Sequence, residues 1–357
     1  MCPFCRPNEC FADLGFNFAR LEPLPSWSAR FELSEVLLPG VLAHSCSVLA
    51  PLMPALLRPR TLFVGGPYEP YEWGEMLDII GARGTVLYPT AGLAAGLISD
   101  PKWAVATVAA YNNWLEDRYT KKDERLHGAG LIPVQDPMAA AKEIERCANE
   151  RVRFPAMMLP SQTYLGKTYG DEFYWPIFEA AEKNNMPLAI HGGPSRGMGF
   201  DHFQEFVKVH TLEHPFPLMI QLTDIVFSGV WDEFPKLKIA FLEGGATWVP
   251  FMMDRLDYEY ESVFGTSSRQ KLKKRPSDYL REGDNFWVAM ELGERNLKYT
   301  IDAIGPDRIL YASDYPHEPT EEDLTTELPE FLESNEYSDE VKRKLVHDNM
   351  INFYNLH

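Results

Sequence analysis

Four short apolar runs in this chain end in a residue that can bind a metal ion or move a proton. They are His191 after LAI, Glu243 after IAFL, Glu291 after WVAM and Asp314 after ILYAS. Imidazole nitrogen and carboxylate oxygen are the donors that zinc and similar divalent ions accept, and a catalytic ion needs about three protein ligands plus one open position. His191 and Asp314, joined by either Glu243 or His214, can supply that set. An ion so held lowers the pKa of its water towards neutrality, or polarises a substrate carbonyl or carboxylate. A neighbouring acid or imidazole then shuttles the proton, a catalytic role open to Glu243 and His214.

Each residue also has a plainer reading. A single histidine at a strand end is commonly a hydrogen-bonded structural group. Glu291 runs into LGER, where an acid favours the first turn of a helix. Asp314 lies in ASDYPH, a sequence suited to a turn. Their joint placement at strand ends decides for chemistry. Residues 210–217, HTLEHPFP, set His210 and His214 four apart, which on one helix shares a face. Pro215 favours a helix that begins after His214, so His214 is the one expected to face the site. His202, in GFDHF, is read as a structural residue.

The elements that would position these groups follow from periodicity. Strand-type runs recur at 84–89, 128–134, 156–159, 188–191, 238–243, 285–290 and 308–314. Between them, residues 101–119, 138–150, 174–184 and 217–227 carry apolar positions at three- and four-residue spacing, the mark of helices packed on a sheet. Apolar strands alternating with helices predict a parallel sheet covered on its faces. An eighth strand within residues 1–65 would close the sheet as a distorted (β/α)8 TIM-type barrel, in which active sites lie at the carboxyl ends of the strands. On this reading residues 1–65 are a divergent N-terminal segment that includes the first barrel strand, and residues 66–357 are the barrel. The rival, a doubly wound open sheet binding a dinucleotide, calls for a G-x-G-x-x-G turn, and the chain has none.

Composition narrows the partners. The 357 residues are 45% hydrophobic and 24% charged, ordinary for a globular protein. A formal charge of −18 argues against nucleic acid, which is bound largely by Lys and Arg neutralising phosphates. The basic run KLKKR at 271–275 reads as a solvated surface. Three of the five cysteines, Cys2, Cys5 and Cys10, crowd the first ten residues. Cys2 and Cys5 form a C-x-x-C without the second pair that a zinc knuckle needs, so a reducing, cytoplasmic setting is expected. Residues 36–57 are apolar but broken by Pro39, Pro51 and Pro54, which argues against a membrane span. The tryptophans are read as packing.

The stretches VLYPTAGL (86–93), AAYNNWL (109–115), GLIPVQDP (130–137), PLAIHGG (187–193), SGVWDEFPKLKIAFLEGG (228–245) and RILYASDYPH (308–317) carry a resemblance. In this order they resemble the amidohydrolase-related proteins that include aminocarboxymuconate-semialdehyde decarboxylase and the hydroxybenzoate decarboxylases. The resemblance implies that His191 and Asp314 are metal ligands. The decarboxylase branch has a histidine where this chain has Glu243, and the acid-or-His, any residue, His motif of the family's first strand is missing. Residues 1–60 hold one histidine, His44, and neither Asp13 nor Glu22 completes that motif. Arg196 and His317 are expected to bind substrate. The expected cofactor is a divalent ion, zinc first with manganese or iron as alternatives, the substrate a small organic molecule, and the assembly a homodimer. Hydrolysis is the first reading, with Glu243 as base on a metal-bound water. Decarboxylation of a small aromatic or unsaturated acid is the second, and a metal-free barrel with a binding role the third.

Overall fold

A computed structural model describes residues 69–149, 154–193, 197–317 and 319–356. Its sheet has seven parallel strands whose order in space is their order in the chain. They are β1 (Thr85–Leu87), β2 (Leu126–Leu131), β3 (Ala156–Pro160), β4 (Leu188–His191), β5 (Ile239–Leu242), β6 (Phe286–Met290) and β7 (Ile309–Tyr311). A doubly wound sheet reverses its strand order at a switch point, whereas here every pair of neighbours is consecutive, as a barrel requires. The first barrel strand expected within residues 1–65 lies outside the described residues.

Helices cover the outside of the curl. The longer ones are α1 (Pro70–Ile80), α2 (Pro101–Leu115), α3 (Pro137–Asn149), α4 (Trp175–Lys183), α5 (Phe206–Glu213), α6 (Pro215–Phe227), α7 (Val249–Glu261), α8 (Leu297–Ile304) and α9 (Glu321–Glu333). Among the described residues no helix is long and apolar enough to cross a membrane.

Period-two alternation sorts each strand's side chains. Leu188, Ile190, Ile239, Phe241, Phe286 and Val288 join the large core beneath the helices. Ala156, Ala189, Ala240 and Ala289 form a second cluster with Trp287, Leu310, Phe353 and Tyr354. Small alanines leave room inside the curl, and Trp287 and Phe353 fill it with ring centroids 5.3 Å apart. The terminal helix Asn349–Tyr354 brings Phe353 there by closing the amino-terminal face. Its Asn349 donates to the carbonyls of Pro306 and Ile309 at the entry to β7, both at 2.7 Å, and Lys238 before β5 donates to the Asn352 carbonyl at 2.8 Å. The plug leaves the carboxyl face for the site.

Two strands end earlier than their apolar runs suggest. Glu243 (φ 63°) and Asp314 (φ 51°) adopt left-handed backbone, which no strand can continue. The helix expected over 217–227 begins at Pro215, in agreement with a start after His214. His210 lies on α5 and His214 at the junction of α5 and α6, so both histidines reach the same region.

Candidate metal centre

Four residues among those described are non-glycine with positive φ: Asn185, Glu243, Asp314 and Asn355. Asparagine tolerates this region, whereas a glutamate there costs on the order of 1–2 kcal/mol, so the surroundings must hold Glu243 in place. Glu294 does much of this. Its carboxylate accepts from the backbone N–H of Ala246 (2.9 Å), Thr247 (2.9 Å) and Glu291 (2.9 Å), tying the loop after β5 to the end of β6. Thr300 on α8 donates to the Ala246 carbonyl at 3.0 Å from the other side. Gly245 between them has φ 63°, and a Cβ there would stand 3.0 Å from the Glu294 carboxylate. Only glycine meets both conditions.

The loop so held presents Glu243 to two histidines. Its Oε2 lies 2.9 Å from His191 Nε2, and its Oε1 lies 3.6 Å from His214 Nε2. His191 Nδ1 sits 2.7 Å from the Gly192 carbonyl oxygen, which can only accept, so Nδ1 carries a proton and Nε2 is the nitrogen turned to the centre. Across the opening, His317 N–H donates to the Asp314 carbonyl (2.9 Å), and the turn brings His317 Nδ1 within 3.5 Å of Asp314 Oδ1. His317 Nε2 and Thr90 Oγ1 are 2.9 Å apart. The ring of Tyr88 stands 5.7 Å from that of His191, and its hydroxyl meets the Tyr354 hydroxyl at 2.9 Å.

Charge is unevenly balanced here. Burial pushes His191 down, but the Glu243 carboxylate, its hydrogen bond, the Gly192 carbonyl and Asp314 outweigh it and leave the imidazole above its ordinary value. Burial pushes Glu243 up, yet His191, then His214 and His317, bring it down to about 2. His214 is lowered, because burial outweighs the pull of Glu243 and Glu213.

A divalent ion fits these donors. One ligand atom each from Glu243, Asp314 and His317 lie within 4.8 Å of one another. His191 adjoins them through Glu243, with its inner nitrogen already held by a backbone carbonyl, as is usual for ligating histidines. A proton bridging His191 and Glu243 is the minimal cation that this arrangement needs.

Of the residues singled out from the sequence, His191, Glu243, His214, Asp314 and His317 converge. Glu291 is exposed, with its backbone N–H donating to the Glu294 carboxylate, and His202 is exposed. Arg196 lies outside the described residues. Tyr88, Thr90, Glu213 and Glu294 were not anticipated. A strand-end signal existed for the first two, in GTVLYPT, whereas the work of Glu294 on backbone groups leaves no mark in sequence.

A family model described as amidohydrolase matches residues 85–356. The 2-amino-3-carboxymuconate-6-semialdehyde decarboxylase of Dictyostelium discoideum is 25% identical over 75% of this chain and 71% of its own. The gamma-resorcylate decarboxylase of Polaromonas sp. is 26% identical over 74% of this chain and 80% of its own. Among solved structures, a mutant 5-carboxyvanillate decarboxylase of Novosphingobium aromaticivorans superimposes with a TM-score of 0.67 at 25% identity, covering 83% of this chain and 82% of that one. That neighbour holds manganese and 3-methoxy-4-hydroxy-5-nitrobenzoic acid.

Proposed function

The chain belongs to the amidohydrolase family of enzymes, and on that premise we propose that it is a metal-dependent carboxy-lyase acting on a small hydroxylated aromatic acid. The observation that carries this reading is the meeting of donor atoms from Glu243, Asp314 and His317 within 4.8 Å at the carboxyl face of the barrel, beside His191. These four residues would hold the ion. Their two carboxylates suit manganese, the metal of the Novosphingobium neighbour, better than the zinc that the sequence puts first. When bound, the ion supplies the positive charge that lets an anionic substrate settle among carboxylates.

The chain's own groups do the rest. Tyr88 walls the site beside His191, and the Thr90 hydroxyl, 2.9 Å from His317 Nε2, offers a hydrogen bond to a ring hydroxyl or carboxylate at the rim. We assign proton delivery to His214 Nε2. That nitrogen faces Glu243 Oε1 at 3.6 Å beside the centre, and from the imidazolium form it would give a proton to the ring carbon bearing the carboxylate. The carbon–carboxylate bond then breaks, its electron pair stays with the ring, and carbon dioxide leaves. Glu243 is assigned as a ligand and not as a base, because a carboxylate held at about 2 accepts protons poorly near neutral pH. That counts against hydrolysis.

The test is product analysis of the manganese-loaded protein against a panel of carboxyl-labelled hydroxybenzoates and muconates. Labelled carbon dioxide and the matching phenol are expected from at least one hydroxybenzoate. Ester, amide or lactone hydrolysis with no labelled carbon dioxide would replace this reading by the hydrolase one.

A further inference from the structure

Next to the centre lies a second group of donors that the reading above does not use as ligands. His210, Glu213 and His214 occupy positions i, i+3 and i+4 along α5 and its end, and each offers a ligand atom within 4.8 Å of the other two. The rings of His210 and His214 meet edge to face with centroids 5.0 Å apart. Glu213 is buried, and among the described residues its only ion-pair partner is His214 at 3.9 Å, beyond hydrogen-bond reach. A buried carboxylate whose ion-pair partner stands at that distance can take a cation as a closer one. His214 Nδ1 is also buried, with no hydrogen-bond partner among the described residues. Glu243 separates the two groups, one oxygen towards His191 and the other towards His214.

We propose that His210, Glu213 and His214 form a second cation site, distinct from the Glu243–Asp314–His317 centre, and that filling it withdraws His214 from proton transfer. Two imidazoles and one carboxylate suit zinc, while the carboxylate-richer neighbour suits manganese. The same protein therefore sorts two ions by donor type, and excess zinc inhibits the manganese enzyme by occupying the helix site. Occupancy of this site is independent of the reaction catalysed. The inhibition rests on the decarboxylase reading, with His214 as proton donor.

The full chain, stripped with chelator and reloaded with zinc, manganese or both, separates the two claims. Elemental analysis after gel filtration should find two ions per chain in the wild type loaded with both, and one in His210→Ala and in Asp314→Asn. Calorimetric titration should show the second zinc equivalent weakened about tenfold or more in His210→Ala. Glu213→Gln, close to isosteric, should repeat the result and covers a loss of folding in the alanine variant. In the manganese enzyme, zinc should inhibit carbon dioxide release in the wild type, whereas His210→Ala should keep its basal rate and resist inhibition. A wild type that saturates at one ion, or His210→Ala and Glu213→Gln variants that still take two, overturns the site. Two ions with no inhibition overturns the role given to His214 and leaves the site standing.

Discussion

His191 and Glu243 meet through Nε2 and Oε2 at 2.9 Å, while the other nitrogen of the same imidazole is taken by the Gly192 carbonyl at 2.7 Å. The ring is thus pinned from two sides, and the nitrogen that can bind an ion points at the carboxylate that shares it. Glu243 reaches this place through backbone that β5 cannot continue, so the strand's end and the site's geometry have one cause.

This pair makes the metal-free protein's stability depend on pH with a definite sign. Glu243 is lowered from its ordinary 4.5 to about 2, so its contribution is present above 4.5 and lost as pH falls towards 2. His191 is raised above its ordinary 6.5, so its contribution is complete below 6.5 and lost as pH rises through the raised value. Urea midpoints of chelated protein should therefore be flattered most by the pair between about pH 4.5 and 6.5. Glu243→Gln should remove that maximum and move the His191 proton resonance titration to lower pH. An unchanged His191 titration in the variant would falsify the pairing.

Asp314→Asn separates metal binding from folding. Asparagine tolerates φ of 51° better than most residues, so the apo variant should melt at or slightly above the wild-type temperature. Manganese affinity should fall by about ten- to a hundredfold, with carbon dioxide release falling alongside. Retained affinity would exclude Asp314 as a ligand.

Gly192→Ala probes His214 from behind. A Cβ at 192 would stand 2.9 Å from both the Cα and the Cβ of His214, so the histidine must shift. The overpacking should cost about 1–3 kcal/mol in denaturant unfolding. A fall in kcat with the first manganese equivalent still bound is the expected pattern, because His214 is assigned to the proton and not to that ion.

Removing the Glu294 carboxylate should act on the site at one remove. Glu294→Ala leaves the N–H groups of Ala246, Thr247 and Glu291 without their acceptor, at a cost of about 2 kcal/mol or more. Glu243 then loses the loop that holds it in left-handed backbone, so manganese affinity should drop with stability. Glu294→Gln keeps one acceptor oxygen but turns an amide NH2 towards the remaining backbone N–H, and should recover only part of both.

Residues whose placement follows from local pattern were readable in advance. His191 closes LAIH, and the strand found there has the bounds that its apolar run suggests. Asp314 was legible for the same reason, although its run overshoots β7 because ladder pairing stops at Tyr311 and the backbone then turns left-handed. Contacts between distant segments were not legible. Thr90 meets His317 across 227 residues, a pairing that only barrel curvature creates. The helix α5 carries its histidines in a segment with weak apolar periodicity, and Pro215 correctly marked a new helix without revealing that another ends beside it.

Glu243, Asp314 and His317, together with the adjoining His191, are proposed to hold one divalent ion. Anomalous diffraction at the manganese edge, from crystals of manganese-loaded protein that releases carbon dioxide in solution, tests it most directly. A single strong peak bounded by Glu243, Asp314 and His317, within bonding distance of at least two of them, is the predicted result. Active crystals whose manganese lies elsewhere, or that hold none, would contradict it.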